Sequence, residues 1–332
     1  TFVGGTISGL AQDLVGDPSG KTYTATYTAD DGFTGTGSVT VDADSYTDVA
    51  LNLGSGGSDS VTIYRGNPTV ATFSHDNGDG VVSDGDATVT YTVEFSEVVQ
   101  ALDAATDLTI SGGTYVASSL SQDLVGDPTG KTWTVQAIAD YNSTADLVAT
   151  INDTFVDLSG NVGTGASQSL TVDTVNPTVA TFSHDNGDGI VSDNDATVTY
   201  TVEFSEVVQA LDAATDLTIS GGTYVASSLV QDLVGDPTGK TWTFQVTADD
   251  NSTTALDVSL NNSIVDVNGN LLDPSGGSIS LSVDTVNPTV VVDIVDGSLS
   301  DGDSSSVVTF SFSEVPSDFT SADLTLVGGT IS

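Results

Sequence analysis

The 332 residues suffice for two or three domains of ordinary size, and they carry 46 acids against 4 bases, a formal net charge of −42. A field of that sign repels nucleic acid and anionic membrane surfaces and calls for cations, so neither a nucleic-acid partner nor membrane insertion is expected. With no Cys there is no disulfide, thiol nucleophile or soft-metal ligand, and no apolar run nears the roughly 18 residues of a membrane span.

Glutamate is confined to Glu94, Glu97, Glu203, Glu206 and Glu314; every other acid is Asp, a turn and loop residue. Two readings of the charge stand side by side: a solvated acidic coat, and ligation of Ca²⁺, which gathers six to eight oxygens from carboxylates, amides and carbonyls. An even coat would not gather its acids in the same loop of each copy, and that clustering argues for calcium.

In chain order, residues 1–67 read as the later part of a repeating unit, with Gly4-Gly5-Thr6 matching Gly112-Gly113-Thr114. Residues 68–176 form the first complete unit. Its apolar positions alternate with polar ones, as in Val89, Tyr91, Val93 and Phe95, the period-two signature of a half-buried strand. Strands are predicted near 69–74, 88–97, 107–111, 114–120, 131–139, 145–152 and 167–173, with no helix beyond single turns. Seven short strands separated by Gly- and Asp-rich turns predict an all-β, immunoglobulin-like sandwich, with Trp133 and Trp242 in its core. Residues 177–287 repeat the unit; 68–97 and 177–206 differ only at Val81/Ile190 and Gly85/Asn194. Divergence is concentrated in 249–277. Residues 288–332 read as the early part of a unit. The fold class expected is thus a tandem of sandwiches, in which near-identical neighbours share one structure and one set of sites. There is no signal peptide, which says little because the first residues already lie inside a repeat.

The acids collect where units meet. Asp153, Asp157 and Asn161 close one unit, Asp173 lies in the connector, and Asp185, Asp188, Asp193, Asp195 and Glu206 open the next. The second joint offers Asn262, Asp266, Asn270 and Asp284, then Asp296, Asp301, Asp303 and Glu314. The first offers Asp44, Asp48 and Asn52, then Asp76, Asp79, Asp84, Asp86 and Glu97, but Tyr64 and Arg65 stand where Asp173 and Thr174 stand in the next copy. Across a short connector such oxygens would repel one another without a cation and become ligands with Ca²⁺, locking neighbouring units at a fixed angle. Arg65 would either pair with Asp84, Asp86 or Glu97, supplying part of a metal's charge, or be a surface residue.

The loop Asp157-Leu158-Ser159-Gly160-Asn161, the connector Val172-Asp173-Thr174-Val175-Asn176-Pro177 and the strand end Phe204-Ser205-Glu206 together resemble the bacterial Ig-like repeats of large secreted, calcium-binding surface adhesins. The resemblance implies an extracellular, calcium-stiffened stalk or filament rather than an enzyme. The other class that fits the same sandwich is a glycan-binding or enzyme-accessory array, which needs clustered exposed aromatics. In the stalk reading, a surface or glycan ligand would be met by regions outside this chain.

Other motifs read more plainly. The HDNGDG loops (75–80 and 184–189) miss the EF-hand spacing. His75 and His184, with no second His or Cys nearby, read as surface or turn residues rather than zinc ligands. Adjacent Ser74, His75 and Asp76 cannot form a catalytic relay. Lys21, Lys131 and Lys240 recur before an aromatic and read as solvated rather than as isopeptide partners. Finally, 288–332 and 1–67 are complementary pieces of one unit, and VGGTIS occurs in both. A composite domain is expected from them, formed between separate copies or within a longer tandem polypeptide.

Overall fold

Residues 1–273 and 277–331 are described by the computed structural model; positions 274–276 of the divergent loop and the last residue of the second VGGTIS lie outside them. By compactness the chain divides into Thr1–Val175 with Asn268–Asn270, and Asn176–Val267 with Leu271–Ser332.

In the first unit the strand Thr88–Phe95 buries Val89, Tyr91, Val93 and Phe95 and turns the intervening residues away from the core, as its alternation requires. It lies between Val70–His75 and Thr132–Ala139, and Gly113–Tyr115 extends the sheet beyond Thr132–Ala139. The facing sheet runs Val81–Val82, Ala166–Val172, Leu147–Ile151, Leu108–Ser111. The inward residues of both sheets form one core that includes Trp133, Val135, Leu147, Ile151 and Phe155, the layered arrangement of an immunoglobulin-like sandwich.

Two departures from the predicted strands have local causes. The stretch 114–120 is broken, because Ser118 adopts φ +65° and Ser119 N–H donates to the Val116 carbonyl, closing a turn; pairing resumes at Ser121–Gln122. Val81–Val82 joins parallel to Ala166–Val172 although it is too short to show a period. Gly112 joins the strands Leu108–Ser111 and Gly113–Tyr115 with φ +68°, and a Cβ there would stand 2.1 Å from the Asp146 carbonyl oxygen, so no other residue fits.

Residues 1–64 carry a three-stranded sheet, Phe2–Val3, Thr34–Val41 and Gly57–Tyr64, and a hairpin of Gly5–Gln12 with Tyr23–Ala29. Tyr23, at the position of Trp133, is 61 % exposed, against 7 % for the tryptophan.

The second unit repeats the sandwich: Val179–His184, Thr197–Phe204, Thr241–Ala248 and Gly222–Tyr224 face Ile190–Val191, Ser278–Val283, Leu256–Leu260 and Leu217–Ser220. Its core stacks Tyr200 on Phe244 with centroids 5.4 Å apart. An antiparallel hairpin of Val290–Ile294 and Val308–Phe312 follows. Among the described residues the α-helix amounts to Ala213–Asp216.

Candidate metal-ligating loops

The loop Asp157–Asn161 is built around one buried carboxylate. Asp157 Oδ1 accepts from the backbone N–H groups of Ser159 and Asn161, and Oδ2 accepts from Asn161 Nδ2, all at 2.8 Å. Burial pushes this carboxyl up, but the bonds from Asn161, Ser159 and Gly160 outweigh it and hold the group below its usual range. Gly160 supplies the left-handed turn at φ +86°. Gln100 Nε2 donates to the Asp157 carbonyl, fastening the loop to the strand end that carries Glu97.

Asn161 Nδ2 also donates to the carbonyl of Tyr64 at 2.9 Å. Chain order suggested that this loop faces the acids of the following copy; the bond ties it to the connector that precedes its own sandwich. The next copy repeats the arrangement. Asn270 Nδ2 donates to the Asp173 carbonyl at 2.8 Å and Asn268 Nδ2 to Asp173 Oδ2 at 2.7 Å. Asn270 Oδ1 accepts from the Asp84 N–H. Within the second unit, Asp266 is fully buried, bridges to Val208, and offers a carboxylate oxygen within 4.8 Å of one on half-buried Glu206. A third version occurs at Asp48–Asn52. Asp48 Oδ1 accepts from the Ala50 and Asn52 N–H groups and Oδ2 from Asn52 Nδ2, each at 2.9 Å, with Leu51 at φ +64° in the glycine position.

The acids of the HDNGDG loops serve their own loop. Asp76 accepts from Thr90 N–H and Asp185 from Thr199 N–H; Asp79 and Asp188 accept from the N–H of Val81 and Ile190. Asp86 accepts from Ser83 and Asn77, and Asp195 from Ser192 and Asn186. The Ser192 hydroxyl and N–H lead the bonds that lower the Asp195 carboxyl. Asp153 accepts from Gly165 N–H, and Asp284 from Val286 N–H. Asp44 lies in a turn at φ +61°. Asp193, Asn262, Asp296, Asp301, Asp303 and Glu314 are exposed.

Three further expectations are corrected. Arg65 does not reach Asp84, Asp86 or Glu97: its guanidinium bonds the Ala29 carbonyl and pairs with Asp31 at 3.2 Å, because its side chain turns back along the strand it follows. Lys131 and Lys240 are not simply solvated, since their Nζ donate to the Ser96 and Ser205 carbonyls at 3.0 and 2.7 Å. His75 and His184 end strands and are half-buried, each 6.4 Å from a core tyrosine ring, Tyr91 or Tyr200.

One device escaped the sequence reading. In each Asp-Pro-(Ser/Thr)-Gly-Lys turn the Asp accepts four local bonds. Asp127 takes the Thr129 hydroxyl and N–H, the Lys131 N–H and the Thr132 hydroxyl. The Thr129 hydroxyl leads, and the carboxyl falls to about 2, as do Asp17 through Ser19 and Asp236 through Thr238. The threefold recurrence of that motif was the available signal.

These are immunoglobulin-like β-sandwich repeats. The sequence model of the bacterial Ig-like domain matches residues 1–64 and 284–332. No curated protein matches the chain. Solved structures that are similar include domains 4–9 of surface layer protein SbsC (15 % identity, 81 % of this chain, TM-score 0.19), of which this chain spans 38 %. Others are the D00-D0 domain of Intimin (13 %, 64 % of this chain and 100 % of that one, TM-score 0.25) and the C-terminal domain of the Streptococcus pyogenes antigen I/II-family protein AspA (12 %, 66 % and 99 %, TM-score 0.28). No helix among the described residues is long and apolar enough to cross a membrane.

Proposed function

We propose that the chain is a structural spacer of an extracellular adhesin or filament, without enzymatic activity, in which Ca²⁺ stiffens the connectors between sandwiches. The observation that carries this reading is the recurring clamp: Asn161 on Tyr64 and Asn270 on Asp173 place the same acid-bearing loop beside the connector in both copies. Glu206 and Asp266, already within 4.8 Å, would supply carboxylates, and Asp173 a third from the connector. Clustered carboxylates with amide and carbonyl neighbours suit a hard cation that takes oxygen ligands. The HDNGDG loops rank lower as ligand sources, because Asp76, Asp79, Asp185 and Asp188 are exposed, whereas Asp157 and Asp266 are buried. The glycan-binding alternative has less to draw on, as both tryptophans are core residues.

Calcium titration with thermal melting is the test. Binding to the folded state alone would stabilise it by roughly 4 kcal/mol at a thousandfold excess over Kd. A melting temperature indifferent to both Ca²⁺ and excess EDTA would sink the calcium reading.

A further inference from the structure

Asn142, Asn152, Asn251 and Asn261 each stand in an Asn-x-(Ser/Thr) sequence without an intervening proline. Asn67, Asn176 and Asn287 also have Thr two residues on, but Pro follows each of them. The first four fall two to each complete sandwich, and the fold treats the members of each pair in opposite ways.

Asn142 and Asn251 occupy the turns that join Thr132–Ala139 to Leu147–Ile151 and Thr241–Ala248 to Leu256–Leu260. Both are exposed and left-handed, at φ +52° and +53°, a conformation that Asn tolerates. A connector threonine closes each turn. Thr174 Oγ1 accepts from Ser143 N–H at 3.0 Å and donates to the Asp140 carbonyl at 2.7 Å; Thr285 does the same with Ser252 and Asp249 at 2.9 and 2.7 Å. That closure uses backbone on either side of the asparagine and leaves its amide alone. Among the described residues neither amide has a hydrogen-bond partner, and neither do the hydroxyls of exposed Thr144 and Thr253, two residues on.

Asn152 and Asn261 are half-buried and committed. Asn152 Nδ2 donates to the Thr106 carbonyl at 2.9 Å while its Oδ1 accepts from the Thr109 hydroxyl at 3.1 Å. Asn261 makes the same bonds with Thr215 and Thr218 at 2.7 and 2.8 Å. The hydroxyls two residues on, of Thr154 and Ser263, bond buried Asp107 and Asp216 at 2.7 Å. Any reaction at these two nitrogens needs local opening first. The flanking sequence separates the pairs as well. Exposed Asp140 and Asp249 stand two residues before the free asparagines, whereas Thr150 and Ser259 stand before the held ones. Asp-x-Asn-Ser-Thr thus recurs although the copies diverge from 249 onward.

We propose that Asn142 and Asn251 are acceptors of N-linked glycans, one on each complete sandwich, with a polyprenyl-pyrophosphate-linked oligosaccharide as donor. The amide nitrogen attacks the anomeric carbon of the donor. A C–N bond forms as the bond from that carbon to the pyrophosphate oxygen breaks; polyprenyl pyrophosphate leaves, and one amide proton passes to a base of the transferase. The upstream acid gives a transferase with a cationic groove a charged handle on these two sites. Each glycan stands beside the threonine that closes its turn, placing a bulky, hydrated group next to the connector. This goes beyond the spacer reading, shares with it only the extracellular setting, and does not involve calcium.

The test is transfer in vitro to the purified, folded full chain. The probes are a single-subunit bacterial oligosaccharyltransferase and a synthetic polyprenyl-pyrophosphate-linked oligosaccharide, with sites read by mass spectrometry of peptides. Short peptides spanning 138–146 and 247–255 serve as positive controls. Asn142 and Asn251 of the folded chain are expected to be occupied at least about tenfold more than Asn152 and Asn261, whose nitrogens are released only by local opening. Thr144→Ala together with Thr253→Ala should remove both glycans while the fluorescence of Trp133 and Trp242 stays native. Peptides that the enzyme refuses, peptides that it modifies while the folded chain stays bare, equal occupancy of all four asparagines, or glycans that persist in the double variant would each overturn the proposal. Melting against Ca²⁺ is a separate measurement on the unmodified chain, so the two readings fail independently.

Discussion

Asn161 donates through Nδ2 to the carbonyl of Tyr64 at 2.9 Å, across 97 residues of chain, and its own loop is held by the same amide nitrogen on Asp157. One amide therefore fixes both the loop and the connector. Asn161→Asp replaces a donor by a second carboxylate beside buried Asp157, leaving both acceptors without it. The first sandwich should lose about 2 kcal/mol, read as a lower denaturation midpoint followed by Trp133 fluorescence. An unchanged midpoint would mean that the clamp contributes nothing.

The glycines separate two costs. Gly160 has φ +86° with nothing near a prospective Cβ, whereas Gly112 has φ +68° and the Asp146 oxygen at 2.1 Å. Gly160→Ala should cost about 1 kcal/mol, from backbone conformation alone. Gly112→Ala adds a steric clash with the backbone of Asp146 and should cost at least about 3 kcal/mol. Equal melting temperatures for the two variants would contradict this ranking.

Acid should loosen the chain through its Asp-Pro turns. Asp127 and Asp236 sit at about 2, below the ordinary 3.8, because hydroxyl and N–H donors favour the charged form. A depressed folded-state value contributes stability that is present above about 3.8 and is lost as pH falls toward 2. Chemical denaturation at pH 5, 3 and 2 should therefore show falling midpoints. Asp127→Asn together with Asp236→Asn should lower the midpoint at pH 5 and flatten the slope below it.

Much of this fold was legible in the sequence because it is written locally. The alternation in 88–95 dictates which side chains of Thr88–Phe95 are buried, and near-identity between 68–134 and 177–243 dictates a second copy. Val81–Val82 was illegible because two residues show no period, and the break at Ser118 because serine gives no warning of a left-handed turn. The candidate site was legible in its residue types but not in its direction. Which connector Asn161 reaches is a tertiary fact, as is the turn of Arg65 back to Asp31. Lys131 read as solvated because its acceptor, the Ser96 carbonyl, is 35 residues away and a backbone group leaves no mark in the sequence.

The last prediction concerns an asymmetry between connectors that follows from the calcium reading. Tyr64 occupies the position of Asp173, so the carbonyl that Asn161 clamps belongs to a residue with no carboxylate, whereas the one that Asn270 clamps belongs to a residue that has one. Glu97 and Asp157 match Glu206 and Asp266. If the connector acid completes the ligand set, the connector before Pro177 binds Ca²⁺ more tightly than the one before Pro68. Tyr64→Asp should then raise the number of tight Ca²⁺ ions measured by isothermal titration by about one, and Asp173→Asn should lower it by about one, because removing one carboxylate from a hard-cation site cuts both charge and denticity. Asp173→Asn keeps the carbonyl that Asn270 uses and should leave the metal-free melting temperature within about 1 kcal/mol of the parent's stability. Stoichiometry unmoved by either substitution would show that the connector acid is not a ligand.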